Sequence, residues 1–349
     1  MIINELETPV AIVDLDKLQA NIDRLQHYLD EHGIANRPHI KSHKIPEIAH
    51  MQVDAGAVGI CCQKLGEAEV MAQAGLKDIF VPYNILGESK LERLMHLTRR
   101  VNISVTADSE TTVKGLSTAA RKEGTTLTVL VEYDGGFGRC GVQTPQEAAD
   151  LARIIAHSSG LHFGGLMTYP SNEQAVIFAQ ETRKLLEPDG IPVECVSGGS
   201  TLNMWRAHTY SGINEHRAGM YVYGDRNMVK GGVMDFDQCA FRVITTVVSR
   251  PTSDRGILDG GSKTFSSDLF AVEGYGYLLE YPEANYYGIS EEHGHIDFSN
   301  CAKKPEIGER VTVIPNHCCT ANNLFREIVG VRNGSVEVVW PVVAHGMLQ

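Results

Sequence analysis

Two short stretches carry residues whose types and spacing could do chemistry. The first is Arg37-Pro38-His39-Ile40-Lys41-Ser42-His43-Lys44, a strand-like run with a lysine flanked by histidines, followed by helix-like sequence. A lysine at the end of a barrel strand can be desolvated, which lowers its pKa and exposes the nucleophilic amine that a Schiff base needs. The same octapeptide also fits a solvated basic turn at a helix start. The second stretch is His317-Cys318-Cys319. In an extended segment residues i and i+2 point to one side, so His317 and Cys319 could share an ion while Cys318 faces away. Imidazole plus thiolate favours Zn2+. A buried histidine beside core thiols would give the same pattern.

The elements that must position these residues follow from periodicity. Val10–Val13 reads as a strand, and Leu18, Ile22, Leu25 and Leu29 then recur at helical spacing up to Gly33. Strand-like runs follow at Asn36–Ile40, Val58–Cys61, Ile79–Pro82, Ile103–Ala107, Leu127–Glu132, Phe163–Met167, Val193–Ser197 and Ile213–Arg217, most of them separated by helical patterns. Eight βα units in about 200 residues fit a (β/α)8 TIM-type barrel. A doubly wound sheet would also alternate, but no G-x-G-x-x-G opens a first strand–helix turn. After Gly232 the texture changes to short β-rich runs broken by Gly, Pro, Asn and Asp, with Asn333-Gly334 a good hairpin turn. The expected organisation is an α/β barrel over residues 10–232 and a C-terminal all-β domain over 233–349 that also takes in residues 1–9.

Bulk properties narrow the function. The chain has 349 residues, 43% of them hydrophobic, and a formal net charge of −12. A phosphate-backbone interface needs basic excess, so nucleic acid is not an expected partner. No apolar run approaches the ~20 residues of a membrane span. Residues 1–7 lack the basic and apolar regions of a secretion signal, so a cytoplasmic location is expected, with the eight cysteines as thiols or ligands.

Catalytic residues of a barrel sit where strands end. Those positions here are Lys41, Gln63, Tyr83, Asp108, 134–139, Tyr169, 197–201 and 219–223, most of them polar or glycine. With Gly59-Ile-Cys-Cys-Gln-Lys64, Asp134-Gly-Gly-Phe-Gly-Arg-Cys-Gly141, Ser197-Gly-Gly-Ser-Thr201, Arg217-Ala-Gly-Met-Tyr221, Leu258-Asp-Gly-Gly-Ser-Lys263, Glu291-Glu-His-Gly294 and Pro315-Asn-His-Cys-Cys319 in order along the chain, the sequence resembles the fold-type III pyridoxal-phosphate enzymes, the group of alanine racemase. Within that group it is most similar to the D-serine dehydratase and D-threonine aldolase branch.

The resemblance implies roles for particular residues. Lys41 would be the Schiff-base lysine and then a base at the substrate α-carbon. Lys44 competes with it for this role. Arg139 would contact the phenolate oxygen of the cofactor, where a permanently charged guanidinium suits. Arg217 would face the pyridine nitrogen, and Tyr169 would lie near the ring. Ser197, Gly198, Gly199, Ser200 and Thr201, with Gly219, Met220 and Tyr221 on the neighbouring loop, would cradle the phosphate through backbone N–H groups. His317 and Cys319 would hold a divalent metal, Zn2+ first and Mn2+ or Mg2+ as alternatives. The H-x-C pattern is that of the dehydratases, whereas the aldolases usually have H-x-D. The expected activity is β-elimination from a 3-hydroxy-D-amino acid such as D-serine, giving a 2-oxo acid and ammonia. The alternatives are an aldolase giving glycine and an aldehyde, a racemase, and a non-catalytic pyridoxal-phosphate carrier. The family implies a homodimer and a small-molecule amino-acid substrate.

Overall fold

The computed structural model describes residues 2–349. The chain divides into two compact units. One holds residues up to Asp23, Ser42–Glu47 and Met220–Gly346; the other holds Arg24–Lys41, Ile48–Gly219 and Met347–Gln349. These units do not coincide with cuts at residues 10 and 233.

β1 (Val10–Asp14) and α1 (Leu15–Glu31) open the chain. Leu18, Ile22, Leu25 and Leu29 of α1 are all buried, as their 3.6-residue spacing requires. In the larger unit, β2 (Ala35–Asn36), β3 (Ile60–Cys61), β4 (Asp78–Asn84), β5 (Asn102–Ala107), β6 (Leu127–Asp134), β7 (Leu161–Tyr169), β8 (Cys195–Gly198) and β9 (Glu215–His216) form one parallel sheet in the order β2-β9-β8-β7-β6-β5-β4-β3. The two ends of that order meet. His39 bridges Cys61, Val58 N–H donates to Asn36 O at 2.9 Å, and Cys61 N–H donates to Pro38 O at 2.8 Å, which closes the barrel.

Helices α2 (Pro46–Asp54), α3 (Leu65–Gln73), α4 (Glu88–Thr98), α5 (Glu110–Glu123), α6 (Pro145–His157) and α7 (Glu173–Leu186) return the chain between strands. Local sequence sets their ends. Ser109 Oγ accepts from Thr112 N–H at the start of α5, and Gly124, at φ 72, stops it. Thr144 and Glu147 form a capping box at the start of α6, where replacing Thr144 by Ala would cost about 1 kcal/mol. Inside the barrel, Cys61, Phe80, Leu130 and Met167 pack as a buried layer. Towards the strand starts, Arg37 is ion-paired with Asp78 and, at 2.7 Å, with Glu215.

The other unit is built on β10 (Phe241–Ser249), β11 (Arg255–Leu258), β12 (Gly276–Leu278), β13 (Asn285–Ile289), β14 (Gly294–Asp297), β15 (Arg310–Pro315), β16 (Glu327–Arg332) and β17 (Ser335–Pro341). Their order is β13-β14-β11-β10-β1-β16-β17, with β15 also paired to β10 and β12 to β15. Every pairing is antiparallel except β1 with β16. Short helices α8 (Arg226–Lys230), α9 (Ser262–Phe265) and α10 (Cys318–Asn322) interrupt the strands.

Three expectations change. Val10–Val13 pairs with β10 and β16 instead of lying in the barrel, because Ile12 packs with Ile244, Val329 and Val331. The strands expected at Val193–Ser197 and Ile213–Arg217 are shorter and end on glycine or arginine turns, and β12 has no counterpart in the reading from sequence. His317-Cys318-Cys319 is not extended: His317, at φ −136 and ψ 105, caps α10, and both cysteines lie in its first turn.

Candidate active site in two parts

In the barrel unit, Lys41 lies on a 3-10 turn, Ile40–Ser42, straight after the first barrel strand. Its side chain is exposed, so the expected desolvation is not observed; the turn leaves the strand end facing solvent. Lys44 differs in kind, being buried with a left-handed backbone at φ 60. Arg139 is exposed on the loop after β6, with its guanidinium 5.2 Å from the Tyr169 ring and 5.7 Å from Phe137. Sequence dictates the loop's shape. One oxygen of Asp134 accepts from the N–H groups of Gly136, Phe137 and Gly138 at 2.9–3.1 Å, a turn that needs Gly136 and Gly138 at positive φ.

Arg217 is buried. Its Nη1 donates to Ser197 Oγ at 2.5 Å and its Nη2 to Thr168 O at 2.9 Å. Ser197 Oγ in turn donates to Glu215 Oε1 at 2.5 Å. Ser197 therefore serves the barrel interior with its hydroxyl. The expected phosphate amides are also partly engaged: Gly199 N–H donates to Ser171 Oγ at 2.8 Å and Gly219 N–H to Thr201 Oγ1 at 3.2 Å. Buried amides must find partners, and these side chains supply them. Met220 and Tyr221 lie on a 3-10 turn, Met220–Val222, with Tyr221 buried.

The turn is nonetheless shaped for close approach. A Cβ on Gly198 would lie 2.2 Å from Ser171 Oγ, and one on Gly199 would lie 2.8 Å from Arg217 O. Beside it, His216 Nε2 and Asn203 Oδ1 are buried polar atoms with no hydrogen-bond partner among the described residues. Burial and the neighbouring Arg217 charge lower His216 to about 4, so it is neutral. An amine, two guanidinium groups, a glycine turn and spare polar atoms at strand ends fit a phosphorylated pyridine aldehyde.

Sequence reasoning missed Glu132, which is buried on β6. Burial pushes its carboxyl up to about 7, against the charges of Arg139 and Arg217 and with help from Asp108. The apolar run 129–131 directly before it could have flagged Glu132 as a carboxylate on a buried strand.

In the β-rich unit, the His317 and Cys319 side chains lie close enough to interact electrostatically. The meeting comes from an N-cap and the second helical residue, not from strand alternation. The Cys318 thiol, then His317 and Ser42, pull Cys319 well below the ordinary thiol range, whereas burial keeps Cys318 a thiol. Ser42 Oγ lies 3.1 Å from Cys319 Sγ. Burial opposes a charge on His317, but the bonds to Cys319 and Asp268 raise it to about 9. Asp268 Oδ2 accepts from His317 Nδ1 at 2.8 Å. Behind the pair, Asp225, buried and pushed up to about 6, accepts from Cys318 N–H at 3.0 Å. An imidazole beside a thiol whose pKa is lowered fits a divalent cation such as Zn2+. Among the described residues no group of three His, Cys, Asp or Glu converges as a metal cage, so the set has two protein donors.

A closed parallel barrel with a lysine after its first strand and arginines after later ones, joined in one chain to a β-rich unit, defines an alanine racemase-type barrel protein. Residues 13–227 match the family model "Alanine racemase, N-terminal domain", and residues 240–331 match "Putative serine dehydratase domain". The chain belongs to the alanine racemase-like family, in the branch that contains D-threonine aldolases and D-serine dehydratases. It is 33% identical to a 3-hydroxy-D-aspartate aldolase of Paracoccus denitrificans, over 98% of this chain and 93% of that protein. It is 30% identical to the D-threo-3-hydroxyaspartate dehydratase of a Delftia species, over 92% and 93%. The solved D-threonine aldolase of Filomicrobium marinum superposes with a TM-score of 0.91 at 30% identity, covering 99% of this chain and 98% of that one. Solved variants of D-threo-3-hydroxyaspartate dehydratase replace a histidine and, two residues on, a cysteine by alanine; the cysteine variant is described as metal-free.

Proposed function

We propose that this chain is a pyridoxal-phosphate-dependent lyase of 3-hydroxy-D-amino acids and that its main reaction is dehydration to a 2-oxo acid and ammonia. Bound pyridoxal phosphate supplies an electron sink for charge developing at the substrate α-carbon. Lys41 Nζ would hold the cofactor and would serve as the base for the substrate α-proton. Arg139 would contact the phenolate oxygen of the cofactor, Tyr169 would lie near its ring, and Arg217 would face its nitrogen. The turn from Ser197 to Thr201, with Gly219, Met220 and Tyr221, accommodates the phosphate. His317 and Cys319 would hold a divalent ion, Zn2+ in this reading, which would supply Lewis acidity towards the β-hydroxyl.

The observation that carries the reading is the His317–Cys319 pair, a histidine and a cysteine two residues apart, the cysteine lowered below the ordinary thiol range, with Ser42 bonded to the sulfur. The same spacing of histidine and cysteine occurs in the dehydratase variants. The test is incubation of the enzyme with D-serine, D-threonine and D-threo-3-hydroxyaspartate. Equal amounts of ammonia and 2-oxo acid are expected; glycine with an aldehyde as the sole products would overturn the dehydration.

A second reading, aldol cleavage to glycine and an aldehyde, is favoured by the 33% and 34% identities to aldolases. The same assay decides between them. We also propose a homodimer in the cytoplasm, checked by sedimentation and by fractionation. No helix among the described residues is long and apolar enough to cross a membrane.

A further inference from the structure

The loop 266–275 grips His317 from two sides. Its backbone enters the left-handed region at Ser266 (φ 65), Phe270 (φ 53) and Gly274 (φ 72). For the two non-glycine residues that conformation is unfavourable, so surrounding contacts must hold it. They do. Arg226 Nη1 donates to Glu273 O at 2.9 Å and to Asn316 Oδ1 at 2.6 Å, and Asn316 Nδ2 donates to Gly274 O at 2.6 Å. The loop is thereby tied to the residue immediately before His317.

At the centre of the loop Asp268 uses both oxygens. Oδ1 accepts from Phe270 N–H at 2.9 Å, and Oδ2 accepts from His317 Nδ1 at 2.8 Å. The Phe270 ring lies parallel to the imidazole, 4.6 Å between centroids and 10° between planes, although half of Phe270 is exposed to solvent. A large apolar side chain left half in water on a strained backbone is costly unless its position has a use. Here it fixes the plane of one ring. A carboxylate accepting from Nδ1–H fixes the tautomer, leaving the Nε2 lone pair as the coordinating position.

We propose that Asp268 is a positioning residue for His317: it selects the Nδ1–H tautomer and thereby sets the affinity of the His317–Cys319 pair for a divalent cation, while Phe270 holds the ring plane. The proposal rests on the reading of that pair as metal donors. It concerns binding, whichever lyase reaction the site performs.

The experiment measures Zn2+ affinity of the pyridoxal-phosphate-loaded enzyme by competition with a chromophoric chelator, with thermal melts as a check on folding. His317→Ala is the control for the underlying reading and should abolish tight binding. Asp268→Ala should weaken binding by about 10–100-fold. Asp268→Asn keeps the shape and an acceptor but loses the charge, and should fall between. Phe270→Leu should cost a few-fold. The visible absorbance of the cofactor should be unchanged in all of them. Nitrogen-15 spectra of the metal-free enzyme, recorded at a pH where the His317 ring is neutral, should show it protonated at Nδ1 in wild type and as a tautomer mixture in Asp268→Ala. If His317→Ala leaves the affinity intact, the metal reading fails and the proposal with it. If His317→Ala abolishes binding while Asp268→Ala and Asp268→Asn both stay within twofold of wild type, the positioning role alone is overturned.

Discussion

The barrel unit and the β-rich unit present their reactive groups in opposite ways. Lys41 and Arg139 are exposed at strand ends, and their immediate neighbours are loop backbone and the Tyr169 and Phe137 rings. His317 and Cys319 are half-buried and held by Asp268, Cys318, Ser42 and each other. The first set is open to solvent. The second is organised by protein contacts alone, at the expense of a strained loop. Preorganised donors suit an ion that must be gripped before it can polarise a hydroxyl; an exposed amine suits a cofactor that must be admitted and attacked.

The sharpest challenge to this contrast is replacement of the amine. Lys41→Ala should remove the visible cofactor band and lower turnover by at least about 10³-fold, whereas Lys44→Ala should keep the band. The reverse result would move the Schiff base to the buried lysine. Next in size is Cys319→Ala. It should abolish tight Zn2+ binding and reduce dehydration by about 10²–10³-fold while the cofactor band persists, because the band belongs to the barrel unit. Unchanged turnover after both chelation and this substitution would sink the metal mechanism.

A smaller effect is expected inside the barrel. Ser197→Ala leaves Glu215 and Arg217 without their shared hydroxyl, and an unsatisfied buried polar group costs about 1–3 kcal/mol. A lowered melting temperature with a shifted cofactor spectrum is expected; an unchanged melt would show that the pair closes up without the serine.

The smallest effect is a pH dependence of stability. Glu132 is pushed from an ordinary 4.5 up to about 7 in the folded barrel. Between those values the unfolded chain has lost the proton that the folded chain retains, so stability falls as pH rises through that window and levels off above it. Glu132→Gln should flatten this slope and raise the melting temperature at pH 8 relative to wild type. An unaltered slope would place the titration elsewhere.

Much of the barrel was legible from local pattern. The apolar spacing of α1, the capping box of α6 and the glycine stop of α5 are local signals, and local signals survive into the fold. The strand ends also pointed to Lys41, Arg139, Tyr169 and Arg217. What pattern could not give was partnership. β1 reads like any barrel strand, yet Ile12 finds its neighbours on β10 and β16, more than 200 residues away. Asp225 and Asp268 carry no signal as single aspartates, and only folding brings them to Cys318 and His317.

For the same reason the backbone of the H-x-C stretch differs from the expectation. Alternation in a strand predicts that His317 and Cys319 share a side; a helix cap followed by a helical turn achieves it differently. The sequence by itself determined the residue types, the order of βα units and the presence of an imidazole and a thiol two positions apart, because these are local properties. Tertiary structure decided that Cys319 is pulled below the ordinary thiol range, that the imidazole is bonded to Asp268 and stacked by Phe270, and that Lys41 stands in solvent while Glu132 does not. Burial and electrostatic partnership depend on which distant segments meet, and no local pattern encodes that.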